Sequence, residues 1–225
     1  MHRKRTRFIA LAVSAASLGG FGLLADEVLE GDTLAFDEAV LAAMRQQDNQ
    51  AEPIGPAWLA EAMRDITALG SFSVLAILVA AVVIFLVLTS HRRLAGFVTV
   101  AIIGGASASM VFKAIFDRPR PEIEGVARVF TASFPSGHAM VSAVVYLTLG
   151  AILADRSTSR KAKIFFFSFA GFLTFLVGFS RLYLGVHFPT DIVAGWSLGA
   201  AWALLSLIVL HYLEDRSSMQ KRQIA

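Results

Sequence analysis

Six stretches of this chain are too long and too apolar to be left in water: residues 8–25, 69–89, 94–116, 137–154, 164–183 and 192–213. About 20 mostly apolar residues are needed to cross a bilayer core about 30 Å thick. Within lipid each backbone N–H and C=O must be paired inside the protein, which a helix does by itself. The sequence therefore predicts an all-α integral membrane protein, a bundle of six spans. No internal repeat or low-complexity linker divides it, so 1–225 reads as one domain. Composition agrees, with 56% hydrophobic and only 16% charged residues, against about 25% charged in soluble domains. The first stretch follows Arg3, Lys4, Arg5 and Arg7, a start shared with secretory signals. Leu23, Leu24, Ala25 and Asp26 do not make a small-residue cleavage site, and a retained anchor is expected.

Six spans place both termini on one side, with the loops around Arg92 and Arg160. That side holds most of the 20 Lys and Arg residues, and the other face holds most of the 17 Asp and Glu. Cations favour the cytoplasmic side, so the termini are expected inside. The pI of about 9.5 does not imply a nucleic-acid partner, because the cations are dispersed among apolar runs. With no cysteine, disulfides, thiolate nucleophiles and thiolate-bound metals are excluded. In the outer segment 26–65, helical spacing of Phe36, Val40, Leu41 and Met44 is broken at Pro53 and Pro56. It resumes at Trp58, Leu59, Met63 and Ile66. The segment reads as interfacial helices on the outer leaflet or as a lid packed over the bundle; the pattern does not choose.

Three polar groups of residues fall at the outward ends of the spans. Span three ends near Lys113, and Arg118 and Arg120 follow in a loop that Pro119 and Pro121 hold extended. Alone, such cations could simply anchor a helix end at the headgroups. Span four opens with Pro135, Ser136, Gly137 and His138. Ser136 suits a helix N-cap and Gly137 allows close backbone approach, so the first-turn N–H groups can receive a phosphate. Alone, this could be a cap beside a packing histidine. Span five ends in Ser180 and Arg181, followed by His187 and then Asp191, four residues on and just inside a helix that Pro189 can start. A carboxylate on one imidazole nitrogen fixes the tautomer and frees the other. Topology gathers all three groups at one membrane face, where three cations, a helix start, two histidines and an aspartate suit a phosphate.

Lys113 with Arg120 and Pro121, Pro135 to His138, and Ser180 and Arg181 with His187 and Asp191 resemble the three-part signature of the type 2 phosphatidic acid phosphatase family. The resemblance implies a membrane phosphatase whose substrate is a lipid phosphate. It further implies that His187 attacks phosphorus to give a phosphohistidine, that Asp191 orients it, and that His138 protonates the leaving oxygen. Lys113, Arg120, Ser136, Gly137 and Arg181 would cradle the phosphoryl oxygens. No cofactor is expected and no metal, because no carboxylate cluster suits Mg²⁺. Arg118 and Arg128 are possible accessories for a second phosphate or for headgroups, and they tilt the expectation toward a diphosphate such as undecaprenyl diphosphate. Phosphatidylglycerophosphate and phosphatidate remain alternatives. Vanadium-dependent haloperoxidases share a similar site but are typically soluble. A non-catalytic lipid-binding or transport relative would carry ionisable groups deep within the spans, and none are found. The compact chain suggests a bacterial inner membrane, with the site facing the periplasm or exterior.

Overall fold

The computed structural model describes residues 2–123 and 131–224, with side chains placed from 6 to 123 and 131 to 217. The elements are α1 (His2–Glu30), α2 (Leu34–Ala43), α3 (Ala57–Ala68), α4 (Phe72–Leu88), α5 (Arg92–Ile115), α6 (Gly137–Arg156), α7 (Arg160–Tyr183) and α8 (Pro189–Ile224). Five of these are long and apolar enough to cross a membrane. α3 and α4 meet at a 47° bend, and counted together they make the sixth. The expected second span, 69–89, thus lies on α4, which has 17 residues. The first and last spans run further than expected, into α1 to Glu30 and α8 to Ile224.

α6 is the most enclosed of the long helices. Two glycines on α8 let that helix come against it: a Cβ at Gly195 would lie 2.7 Å from the Ser136 carbonyl, and one at Gly199 would lie 2.7 Å from the Met140 carbonyl. Small residues at a four-residue spacing are a usual means of close approach in membranes. The contact also joins the two helix starts, where the Ser136 N–H donates to the Asp191 carbonyl at 2.9 Å. Phe21, Phe112, Phe116 and Phe134 form an aromatic cluster beneath the segment that leads into α6, with centroids 5.1 to 6.0 Å apart. Elsewhere α4, α5 and α7 turn Ile77, Phe85, Val100, Phe165 and Phe172 outward, as expected where the surroundings are lipid.

The outer segment folds as a lid at its first helix. On α2 the buried positions are Asp37 and Leu41, one turn apart. Phe36, expected on the inward stripe, is 59% exposed. A buried carboxylate has taken its place because it has partners below. Leu41 joins Ala139, Leu182, Phe188 and Ile192 in one apolar cluster. α3 lies along α7 with Leu59, Met63 and Ile66 half-buried and Trp58 exposed.

Candidate active site

Lys113 in the last turn of α5 donates from Nζ to the Ala132 carbonyl at 2.6 Å. Its stem passes over Gly137, where a Cβ would come within 3.1 Å of Lys113 Cε and press the lysine stem aside by a few tenths of an ångström. Arg120 is held four ways. Its Nε donates to the Thr131 carbonyl at 2.8 Å and Nη2 to Thr131 Oγ1 at 3.1 Å; Nη1 donates to the Val186 carbonyl at 2.8 Å and lies 3.1 Å from His187 Nε2.

His187 sits between α7 and α8, 1% exposed. An arginine N–H against Nε2 can only donate, so Nε2 accepts and the ring proton is on Nδ1. Nδ1 faces Asp191 Oδ2 at 3.2 Å and Ser133 Oγ at 3.3 Å. Asp191 is fully buried and fully used: Oδ2 also accepts from the Ser133 hydroxyl and from the Phe188 N–H at 3.0 Å, while Oδ1 accepts from Arg118 Nη1 at 2.7 Å. Burial pushes the His187 pKa from its ordinary 6.5 down to about 4; Asp191 opposes this, and Arg120 and Arg181 reinforce it. The ring is therefore neutral at physiological pH, with the Nε2 lone pair facing the Arg120 N–H.

Arg181, in the last turn of α7, donates from Nη1 to Thr67 Oγ1 at 3.0 Å. Its Nε is buried without a partner among the described residues, a donor that an anion would satisfy. Ser136 is fully buried and caps α6, accepting from the Ala139 N–H. His138, in the first turn of α6, is half-buried and lies within electrostatic reach of Arg181, His187, Arg120 and Lys113. The structure thus brings together Lys113, Arg120, Ser136, Gly137, His138, Arg181, His187 and Asp191. Arg128 lies outside the described residues.

Arg118 needs correcting. Its guanidinium is not offered to a second phosphate or to headgroups: Nη2 donates to Asp37 Oδ2 at 2.7 Å, and Nη1 is shared by Asp191 and Thr190 Oγ1 at 2.7 and 2.8 Å. The Phe188 ring lies 4.6 Å from its Cζ. Two buried carboxylates share this cation. Thr131, Ser133, Thr190, Asp37 and Arg45 were not visible as site residues in the sequence. Only Asp37 left a signal, a carboxylate one turn from Leu41 on the apolar stripe of a short helix.

The PAP2 superfamily profile matches residues 93–215. Over 182 residues the chain is 34% identical to phosphatidylglycerophosphatase B of Bacillus subtilis, covering 80% of this chain and 85% of that protein. It is 37% identical over 76 residues to an undecaprenyl-diphosphatase of Sulfolobus acidocaldarius, about a third of either chain (33% and 32%). Among solved structures, the transmembrane PAP2 type phosphatidylglycerolphosphate phosphatase from Bacillus subtilis superposes with a TM-score of 0.77 at 30% identity, over 86% of this chain and 93% of that one. Aquifex aeolicus LpxE superposes with a TM-score of 0.53 at 25% identity, over 68% and 87%.

Proposed function

This chain belongs to the PAP2 superfamily, and from that premise we propose that it removes phosphate from a glycerophospholipid monophosphate through a phosphohistidine on His187. It is an integral membrane enzyme, a lipid phosphate hydrolase. The observation that carries the chemistry is the tautomer at His187, whose Nδ1–H is held by Asp191 and whose Nε2 lone pair is left against Arg120.

In the first step Nε2 forms a bond to phosphorus as the bond from phosphorus to the lipid oxygen breaks. His138 gives that oxygen its proton, and the lipid alcohol leaves. In the second, water attacks phosphorus and its proton passes to His138, the N–P bond breaks, and inorganic phosphate departs with both histidines restored. The attack puts a positive charge on the His187 ring, which Asp191 offsets. Lys113, Arg120 and Arg181, with the Ser136 hydroxyl and the N–H groups opening α6, bind the three oxygens on which charge collects. Arg120 can redirect its Nη1–H hydrogen bond from Nε2 to a phosphoryl oxygen, which frees the lone pair as substrate binds. In this reading Lys113, Arg120 and Arg181 offset the charge that metal ions offset in other phosphatases.

A monophosphate fits better than a diphosphate. The preference for a diphosphate rested on Arg118 and Arg128, and Arg118 is committed to Asp37 and Asp191. The relative matched over most of this chain is named for phosphatidylglycerophosphate. Cation placement supports termini in the cytoplasm and a site on the outer face of a bacterial inner membrane.

Purified protein in excess EDTA should release phosphate from phosphatidylglycerophosphate faster than from undecaprenyl diphosphate. Quenched turnover should leave an acid-labile ³²P label on residue 187, absent in His187→Ala. Turnover by His187→Ala at the wild-type rate would overturn the mechanism. A faster rate on the diphosphate would overturn the substrate class alone. For orientation, an impermeant thiol reagent on intact cells should label a cysteine at Trp58 and spare one at Ser159; the reverse would invert the topology.

A further inference from the structure

The loop that carries His187 runs from the end of α7 at Tyr183 to the start of α8 at Pro189. Residues of the outer segment grip it at both ends. At the α8 end, Asp37 of α2 is fully buried and accepts from the Thr190 N–H at 3.1 Å, from Thr190 Oγ1 at 2.6 Å and from Arg118 Nη2 at 2.7 Å. At the α7 end, Arg45 is 6% exposed and donates from Nη2 to the Tyr183 carbonyl. Its guanidinium lies so close over Gly185 that a Cβ there would come within 2.7 Å of Nη2. Gly185 also has φ of +74°, so both its backbone and the space above it require glycine. Tyr183 returns a third contact, its hydroxyl donating to the Ile54 carbonyl. Between the two grips, Leu41 packs on Phe188 and Ile192.

A lid that merely covered the bundle would need the apolar contact at Leu41 and no more. It would not bury a carboxylate and a guanidinium, since each costs several kcal/mol to desolvate unless its partners are worth keeping. The ions face chemistry one step removed. Arg118 divides its guanidinium between Asp37 and Asp191, so the position of Asp37 sets the position of the carboxylate that holds His187 Nδ1. Arg45 holds the carbonyl just before the turn that delivers His187.

We propose that Asp37 and Arg45 are positioning residues for the phosphoryl transfer, a two-point clamp by which the outer segment fixes the His187 loop between α7 and α8. The clamp rests on the reading of His187 as the nucleophile. It acts on the geometry of attack, so its loss lowers kcat and leaves binding of the lipid unchanged. A misplacement of about 1 Å costs a reaction of this kind on the order of 100-fold.

The test is steady-state kinetics on the purified full-length chain with a short-chain phosphatidate, each variant scaled to its folded fraction by size-exclusion chromatography. Asp37→Asn and Arg45→Met should each lose roughly 100-fold in kcat with KM within about twofold of wild type. Arg45→Lys, which keeps a donor, should recover much of the loss. Because Asp37 works through Arg118 and Asp191, Asp37→Asn added to Asp191→Asn should cost little beyond Asp191→Asn alone. Wild-type kcat in both clamp variants, a rise in KM instead, or full additivity with Asp191→Asn would each overturn the proposal. If Asp37→Asn does not fold, the Arg45 pair decides it, and equal kcat in Arg45→Met and wild type overturns the clamp. An inactive His187→Ala beside unimpaired clamp variants removes only the clamp, whereas an active His187→Ala removes the reading beneath it.

Discussion

At the end of the bundle that carries His187, Asp37 and Asp191 are fully buried and one guanidinium, Arg118, serves both at 2.7 Å. At the opposite end Arg7 meets Asp215 at 2.5 Å and Arg156 meets Glu214 at 2.6 Å, and those side chains are 26 to 45% exposed. The distances are alike and the consequences are not. Near water each partner is already solvated, and such pairs are worth about 0–1 kcal/mol. In the interior neither carboxylate can do without its cation, so the contact dictates geometry. The end with His187 is therefore wired for placement, whereas the pairs at the opposite end join groups that water already serves.

The sharpest way to break the comparison is at His138, which no described hydrogen bond holds. His138→Ala should lower turnover by about 10² to 10⁴-fold, the usual contribution of a positioned acid and base. A substrate with a good leaving group should still label residue 187, since that step then needs no acid; rapid-quench labelling would show it. Next comes Arg118→Met, which leaves Asp37 and Asp191 buried without their shared cation and should cost about 3–5 kcal/mol, read as a lowered midpoint of thermal unfolding in detergent.

A smaller effect concerns pH. His187 binds its proton near pH 4 in the fold and near 6.5 when unfolded, so between those values the unfolded chain binds more protons. Stability from this group is complete above about 6.5 and declines as pH falls toward 4. The melting midpoint should drop more between pH 7 and 4.5 in wild type than in His187→Gln, and a slope unchanged by the substitution would contradict the buried neutral ring. Smallest is Arg156→Gln at the end opposite His187, expected to move stability by no more than about 1 kcal/mol. A loss as large as that of Arg118→Met would erase the contrast between the two ends.

Legibility in the sequence followed the same divide. Apolar runs marked the spans because lipid imposes one rule on every residue of a helix. His187, Asp191, Arg120 and Lys113 were legible because their spacing to a helix end has a chemical meaning. Arg118 was misread because nothing in its neighbours says where a flexible side chain goes; its partner Asp37 is some eighty positions away. Ser133 and Thr131 were missed for a related reason. Small hydroxyls before a helix are common in any loop, and only the fold turns these two toward Asp191 and Arg120. The second span, read at 69–89, lies on α4, and the separate run read from Trp58 to Ile66 is α3; the 47° angle between them was not legible, and at that bend Gly70 leaves no room for a Cβ beside Val177 of α7.

That bend has a consequence for the bilayer. α4 has 17 residues, about 26 Å of helix at about 1.5 Å per residue, against a hydrocarbon thickness of about 30 Å. Hydrophobic mismatch of this size is met by local thinning at a cost of fractions of a kcal/mol per Å. Thr67, beside the junction of α3 and α4, is hydrogen-bonded to Arg181. A bilayer thinned along α4 would bring its headgroup plane toward Arg181, so a lipid phosphate there would need less lifting of its tail to meet that cation.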